Sequence, residues 1–251
     1  MLEKMTKGRT EQPLRIVVGG GPGVGKTTFA SHAPGALICD FERGSGQINC
    51  DRVDVNSVSE LNELMADLEK QKGETYQTLV IDSIDWMQTR VFQEVVSNQH
   101  DSRIKDVAQI PYGQGYGAGA AQMVTFLTTG CERLRTVGMH IILIAHMIPR
   151  ALNDNPELLT QNRHSLKLYE GKNTSIAGPV REWADYVLYA AEARKSTVIG
   201  EGRDKRLVPK MTGHRVLLTH ASDTWEAKSR RPIPHEIPLE WDAFWNAHTE
   251  A

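Results

Sequence analysis

Apolar and polar positions along the chain follow two rhythms, short unbroken apolar runs and longer stretches with helical spacing. "RIVVGG" (15–20) is an apolar run that breaks into glycines and predicts a buried strand, and "KTTFASHA" (26–33) predicts the next helix, stopped by Pro34-Gly35. "ALICD" (36–40) predicts a second short strand. Ser57 and Glu60 form a capping box ahead of Leu61, Leu64, Met65 and Leu68, whose spacing lines one helix face until Gly73 ends it. "TLVID" (78–82) predicts a third strand, apolar as a parallel strand covered on both faces should be, with "HIILIAH" (140–146) and "YVLYAA" (186–191) as the fourth and fifth. Helices through "IDWMQTRVFQEVV" and "AAQMVTFLTTGCERLRTV" bracket the glycine-rich "YGQGYGAG". Strands alternating with helices predict an α/β fold with a mostly parallel central sheet flanked by helices.

Two stretches depart from that rhythm. Met147 to about Pro179 is long, polar and without clear period, the mark of a functional or disordered loop. Beyond Glu192 come short β-like runs, "RLVPKM" and "RVLLTH", joined by Thr212-Gly213, and then a Pro-rich tail ending in "LEWDAFWNA". The expected division is a flexible tail over 1–13, an α/β core over 14–192, and over 193–251 a small β-hairpin and basic, Pro-rich extension packed on the core.

Composition changes little in this picture: 40% apolar and 24% charged residues are ordinary for a globular chain. No apolar run approaches the ~18 residues of a membrane helix, so no membrane-spanning helix and no membrane partner are expected. "MLEKMTKGRTEQP" lacks the apolar core of a secretory signal, and Cys39, Cys50 and Cys131 form no CxxC pair, so a cytoplasmic protein without a zinc site or disulfide framework is expected. Charge is more informative. Residues 194–231 hold ten Lys or Arg against four acids, a net of +6, which leaves −8 for the rest of a chain whose total is −2. That quarter is either a solvated surface or a polyanion-facing stripe.

The chemistry starts at "GGGPGVGKTT". Gly20, Gly25, Lys26 and Thr27 fill GxxxxGK[ST], and Gly21, Pro22, Gly23, Val24 and Thr28 complete the loop. Glycines let consecutive N–H groups converge on phosphate oxygens, Lys26 neutralises the β- and γ-phosphates, and the Thr27 hydroxyl is placed to ligate Mg²⁺. Asp82, ending an apolar strand, is the natural second metal-site residue, although a helix-capping Asp would look the same. Hydrolysis also needs a group that deprotonates water. The position after Asp82 is Ser83 rather than Glu, so the base is expected elsewhere: Glu42 first, Asp85 second. His146, ending the fourth strand, is either a γ-phosphate sensor or a satisfied core histidine.

Together "GGGPGVGKTTFA", "LICDFERG", "TLVIDSIDW", "YGQGYG", "IILIAH", "REWADYVLYA" and "AKSRRPIPHEIPLEW" resemble the phage-encoded RecA-like ATPases of single-strand annealing and recombination, AAA-type phage nucleotide-binding proteins, over roughly Ile16 to Trp241. The resemblance implies a RecA-like P-loop NTPase core, dependence on ATP and Mg²⁺, single-stranded DNA as partner, and a homo-oligomeric ring or filament with nucleotide between protomers. It places the catalytic glutamate at Glu42. It also implies DNA-facing segments around Tyr112 to Tyr116 and after His146. Tyr112 and Tyr116 would stack on bases or anchor their loop on the core, and Arg150, Arg163, Lys167 and Lys172 would grip phosphates, diluted by Asp154, Glu157 and Glu170. "AKSRR" resembles the place where such proteins present cations to a neighbour's nucleotide, so Lys228 and Arg230 are either trans-acting cations or a solvated basic turn. The implied function is a DNA-stimulated ATPase that promotes annealing or recombination, annealing being favoured because no extra terminal domain for duplex capture is evident. Recruitment of a single-strand-binding protein stays open. Two other classes remain: a P-loop nucleotide kinase, and a nucleotide-dependent binding module that does not hydrolyse.

Overall fold

The computed structural model describes residues 7–8, 10–152, 161–199 and 206–251. Its main sheet runs in the order β10-β8-β7-β1-β5-β4-β2-β3. Six of these strands are parallel: β1 (Arg15–Gly20), β2 (Ala36–Asp40), β3 (Asp51–Asp54), β4 (Thr78–Asp82), β5 (His140–Leu152) and β7 (Tyr186–Ile199). β8 (Arg206–Leu218) and β10 (Glu236–Pro238) add antiparallel at one side, while β6 (Gln161–Leu166) pairs β5 and β9 (Lys228–Ser229) pairs β7.

Side chains alternate across the pleat, so each central strand feeds two cores. Val17, Leu79, Ile81, Ile141 and Leu143 face α2 (Val58–Gln71), α3 (Ile84–Ser97), α4 (Gln114–Thr125), α5 (Glu132–Thr136) and α6 (Ala177–Trp183). Ile16, Val18, Val80, Ile142 and Ile144 face α1 (Lys26–Ser31) and α7 (Trp241–Glu250), where Phe29, Trp241 and Phe244 pack ring against ring. The five strands and the helix of "LEWDAFWNA" thus share one two-sided core. The Ser57 hydroxyl accepts from the Glu60 N–H at 3.2 Å, but the Glu60 carboxylate reaches back to the Asn56 N–H rather than to that of Ser57. Lys72 and Gly73, both at positive φ, stop α2.

Several segments differ from expectation. "YGQGYGAG" is mostly helix, because Gly115 and Gly119 are packing positions and not loop hinges: a Cβ at Gly119 would lie 2.6 Å from Phe92 Cδ1. Gly119→Ala is therefore expected to destabilise the protein by ~1–3 kcal/mol, read as a lowered denaturant midpoint, despite alanine's better helix propensity. Among its described residues, the polar stretch after Met147 is partly regular structure. Met147–Leu152 of β5 and β6 form an antiparallel ladder, and α6 follows. Asp154 and Glu157 lie outside the described residues, as do 1–6 and 9 of the expected tail. "RLVPKM" and the "RVLL" of "RVLLTH" lie in one strand, β8, which accommodates Gly213 at φ 79 with a register shift opposite Glu192/Arg194. The expected boundary at 192/193 falls inside β7, which passes through it without a break.

Candidate nucleotide site

The carboxyl ends of the parallel strands assemble the site, as expected for an open α/β sheet. Gly20 lies in register with His146 on one side and Ala190 on the other, and Asp82 with Asp40. The loop between β1 and α1 turns through Gly23 and Gly25, both at positive φ, which frees its N–H groups to point at one centre. Lys26, a residue 7% exposed, donates from its ammonium to the carbonyls of Gly21 (2.8 Å) and Gly20 (3.3 Å), which holds the group over the loop. Burial pulls its pKa down, opposed by Asp82, Glu42 and Asp85.

Thr27 Oγ1 donates to Asp82 Oδ2 at 2.6 Å. A hydroxyl and a carboxylate side by side at the phosphate loop are the hard oxygen donors Mg²⁺ takes, so these residues fit the ion. Burial, joined by Glu42 and Asp40, pushes the Asp82 carboxyl up to about 6, against the Thr27 bond and Lys26. An added positive charge would relieve that strain.

Glu42 stands on a loop that a second aspartate builds. Asp40 Oδ1 accepts from the N–H groups of Glu42 (3.0 Å) and Arg43 (2.7 Å), and Oδ2 from the Ser45 N–H (2.9 Å) and hydroxyl (2.6 Å). Burial raises the Asp40 pKa, but these bonds, Ser45's first, outweigh it and hold the carboxyl below its ordinary value. Glu42 Oε1 then lies 3.4 Å from Ser83 Oγ and 3.5 Å from His146 Nδ1. His146 donates its backbone N–H and its Nδ1–H to the buried Asp85 carboxylate, at 3.0 Å each, and Lys167 Nζ approaches the same carboxylate at 3.7 Å. Glu42, Asp85 and His146 thus form one cluster, beside a cleft of about 470 Å³ that Trp86, Arg150, Lys167 and Tyr169 also line. Asp85 is the structural partner of His146 here. Sequence reasoning misses Asp40; the one local signal is an Asp at a strand end, placed to accept from the N–H two residues on and so fold the following turn.

A recess of about 510 Å³, lined by Gly213 to Val216 and Pro238 to Glu240, borders the phosphate loop. A Cβ at Gly25 would lie 3.2 Å from Arg215 Nη1 and 3.3 Å from Leu239 Cδ2. No sequence pattern marks it, since β8 and β10 meet there only in the fold.

The remaining candidates separate. Tyr112 is 97% exposed. Tyr116 stacks on Tyr169 (4.1 Å, 5°) and meets Phe92 edge-on, so it anchors its helix and is not free to stack on a base. Arg150 is engaged by Glu170 and by the carbonyls of Leu166 and Leu168, so it braces the β5–β6 unit instead of offering its charge outward. Lys167 and Lys172 are exposed and Arg163 is half-buried. Lys228 and Arg230 lie at the opposite edge of the sheet, beside the start of β7. Lys228 donates to the carbonyls of Arg181, Glu182 and Ala184 and so terminates α6, whereas Arg230, half-exposed, leans on Asp185 and the Glu182 carbonyl.

A family model described as AAA domain matches residues 12–231. No curated protein matches the chain. Among solved structures, that of the RadB recombinase is similar at 11% identity and a TM-score of 0.44, with 92% of this chain and 90% of that chain covered. The mostly parallel sheet, with its glycine-rich phosphate loop leaving β1 and flanking helices on both faces, is the α/β P-loop arrangement anticipated from the sequence.

Proposed function

Because this chain belongs to the AAA domain family, we propose that it is a Mg²⁺- and ATP-dependent, single-strand-binding DNA ATPase of the phage annealing and recombination type. The observation that carries the hydrolytic part is the placement of Lys26, Thr27, Asp82 and Glu42 at one sheet edge, with Glu42 facing Ser83 and His146. In this reading Lys26 and the loop N–H groups hold the phosphates. Thr27 and Asp82 hold Mg²⁺, which supplies charge neutralisation at the γ-phosphoryl when bound. Glu42 takes the proton of the attacking water, and the Asp85–His146 pair keeps Glu42 in place. The recess beside Gly25 receives the nucleobase.

The DNA part is supported by the resemblance, by exposed Tyr112 as a stacking face, and by the exposed Lys167 and Lys172 with the half-buried Arg163 as cations. Lys167 joins the two parts, since it also approaches Asp85. Arg230, remote from its own phosphate loop, would serve a neighbouring protomer's nucleotide in a ring or filament.

Turnover measured with and without a single-stranded oligonucleotide across a salt series tests this reading. The expected result is several-fold stimulation that fades as salt rises, because phosphate contacts release counterions. Turnover that needs an acceptor nucleotide would make the protein a kinase. Tight nucleotide binding without turnover would make it a binding module.

A further inference from the structure

β7 leaves the body of the sheet after Ala190, its last partner position with β1, and continues with β8 alone as a two-stranded ribbon. Its root is pinned: Gly213 N donates to Glu192 Oε1 at 2.9 Å and Thr212 Oγ1 to the Ala193 carbonyl at 3.0 Å. From Arg194 to Ile199 the ribbon projects for about 20 Å at ~3.3 Å per residue, and it does so from the edge that carries the phosphate loop. Arg194, Lys195, Arg206 and Lys210 are all exposed on it. Residues 194–199 and 206–211 contain no Asp or Glu, and among the described residues none of these four cations is in an ion pair.

Lys195 lies directly opposite Lys210, and Arg206 shares their face two pairs further out. Opposed like charges destabilise an antiparallel pair, so the ribbon carries a cost that a Lys–Glu or Lys–Thr pair would avoid. Lysine on a free strand edge also deters aggregation, but a mixed-sign pair would do that equally well. We infer that the Lys195/Lys210/Arg206 face of the β7–β8 ribbon is a binding surface for the phosphate backbone of single-stranded nucleic acid, which supplies a counter-charge that no described residue gives these cations. The inference rests on the proposed function and adds to it a surface distinct from Tyr112 and from the β5–β6 unit.

The test uses full-length protein, a fluorescent single-stranded oligonucleotide and its duplex, titrated at several salt concentrations. Lys195→Glu turns the like pair into an opposite pair, leaving the ribbon charged and better paired. It is expected to weaken single-strand binding on the order of tenfold at ~0.1 M salt and to flatten the log K against log [salt] slope by about 1.4, two cations being withdrawn. The thermal midpoint and the DNA-free ATP turnover should stay unchanged or rise slightly. Lys195→Gln/Lys210→Gln should reproduce the flattening without the reversed charge.

Unchanged affinity and slope in both variants, with the parent protein binding the strand, would overturn the ribbon and leave the proposed function standing. A loss confined to duplex, or a changed oligomer mass at unchanged affinity, would likewise overturn it. If the parent protein itself fails to bind the oligonucleotide, the DNA reading and the ribbon fall together.

Discussion

Glu42→Gln is expected to bind ATP within a few-fold of the parent protein and to turn it over at least ~100-fold more slowly. The amide keeps the shape of the side chain and its contact with Ser83 (3.4 Å), and it removes only the ability to take a proton. Nothing that holds the phosphates changes, since Lys26 and the glycine loop are separate from the Asp40-organised turn. A nucleotide titration beside a steady-state rate separates the two effects. Turnover that survives the substitution would remove Glu42 from the mechanism, and Asp85, engaged by His146 through two hydrogen bonds, would be a poorly freed replacement.

Asp82→Asn is expected to move stability and activity in opposite directions. The Asp82 carboxyl sits at about 6, above its ordinary 3.8, because burial penalises the charged form. Between those values the folded protein holds the proton more tightly than the unfolded chain does. The stability of the nucleotide-free protein therefore falls as pH climbs through that window, and above it the charged carboxylate carries the full cost. Asparagine removes that cost and can still accept from Thr27. At neutral pH the variant should be more stable by up to ~3 kcal/mol, from roughly two units at 1.36 kcal/mol each, and near pH 4 the advantage should vanish. Turnover should nevertheless drop at least ~100-fold, as the amide is a poor Mg²⁺ ligand. Denaturation at the two pH values, with and without Mg²⁺ and nucleotide, checks both halves. A variant less stable than the parent at neutral pH would mean that Asp82 is satisfied by its neighbours and not strained by burial.

How much was legible in sequence depends on how local each feature is. Glycine spacing, an apolar run ending in Asp82 and the capping serine at position 57 are written in a few adjacent residues, and the corresponding elements lie where those residues lead one to look. β3, "DRVD", was invisible because an exposed edge strand needs no apolar alternation. The helical course of "YGQGYGAG" was hidden because glycine's usual meaning, a turn, is the reverse of its use at Gly115 and Gly119, where it admits neighbouring side chains. In sequence Tyr116 reads equally as a base-stacking group or a core anchor, and Arg150 as a phosphate grip. Their partners, Tyr169 and Glu170, come close only through the β5–β6 ladder and the chain that follows it. The acid cluster was half legible, since each member ends or follows a strand, but the hydrogen bonds that tie His146 to Asp85 depend on the packing of α3 against β5.

β5 runs from His140 to Leu152 as one strand, clamped between β1 and β4 in its first half and paired with β6 in its second. The strand exchanges its partners at His146, so the outer half is held by one neighbour where the inner half has two. Amide protons of 147–152 should then exchange with solvent faster than those of 141–145, as a less protected unit does beside a more protected one.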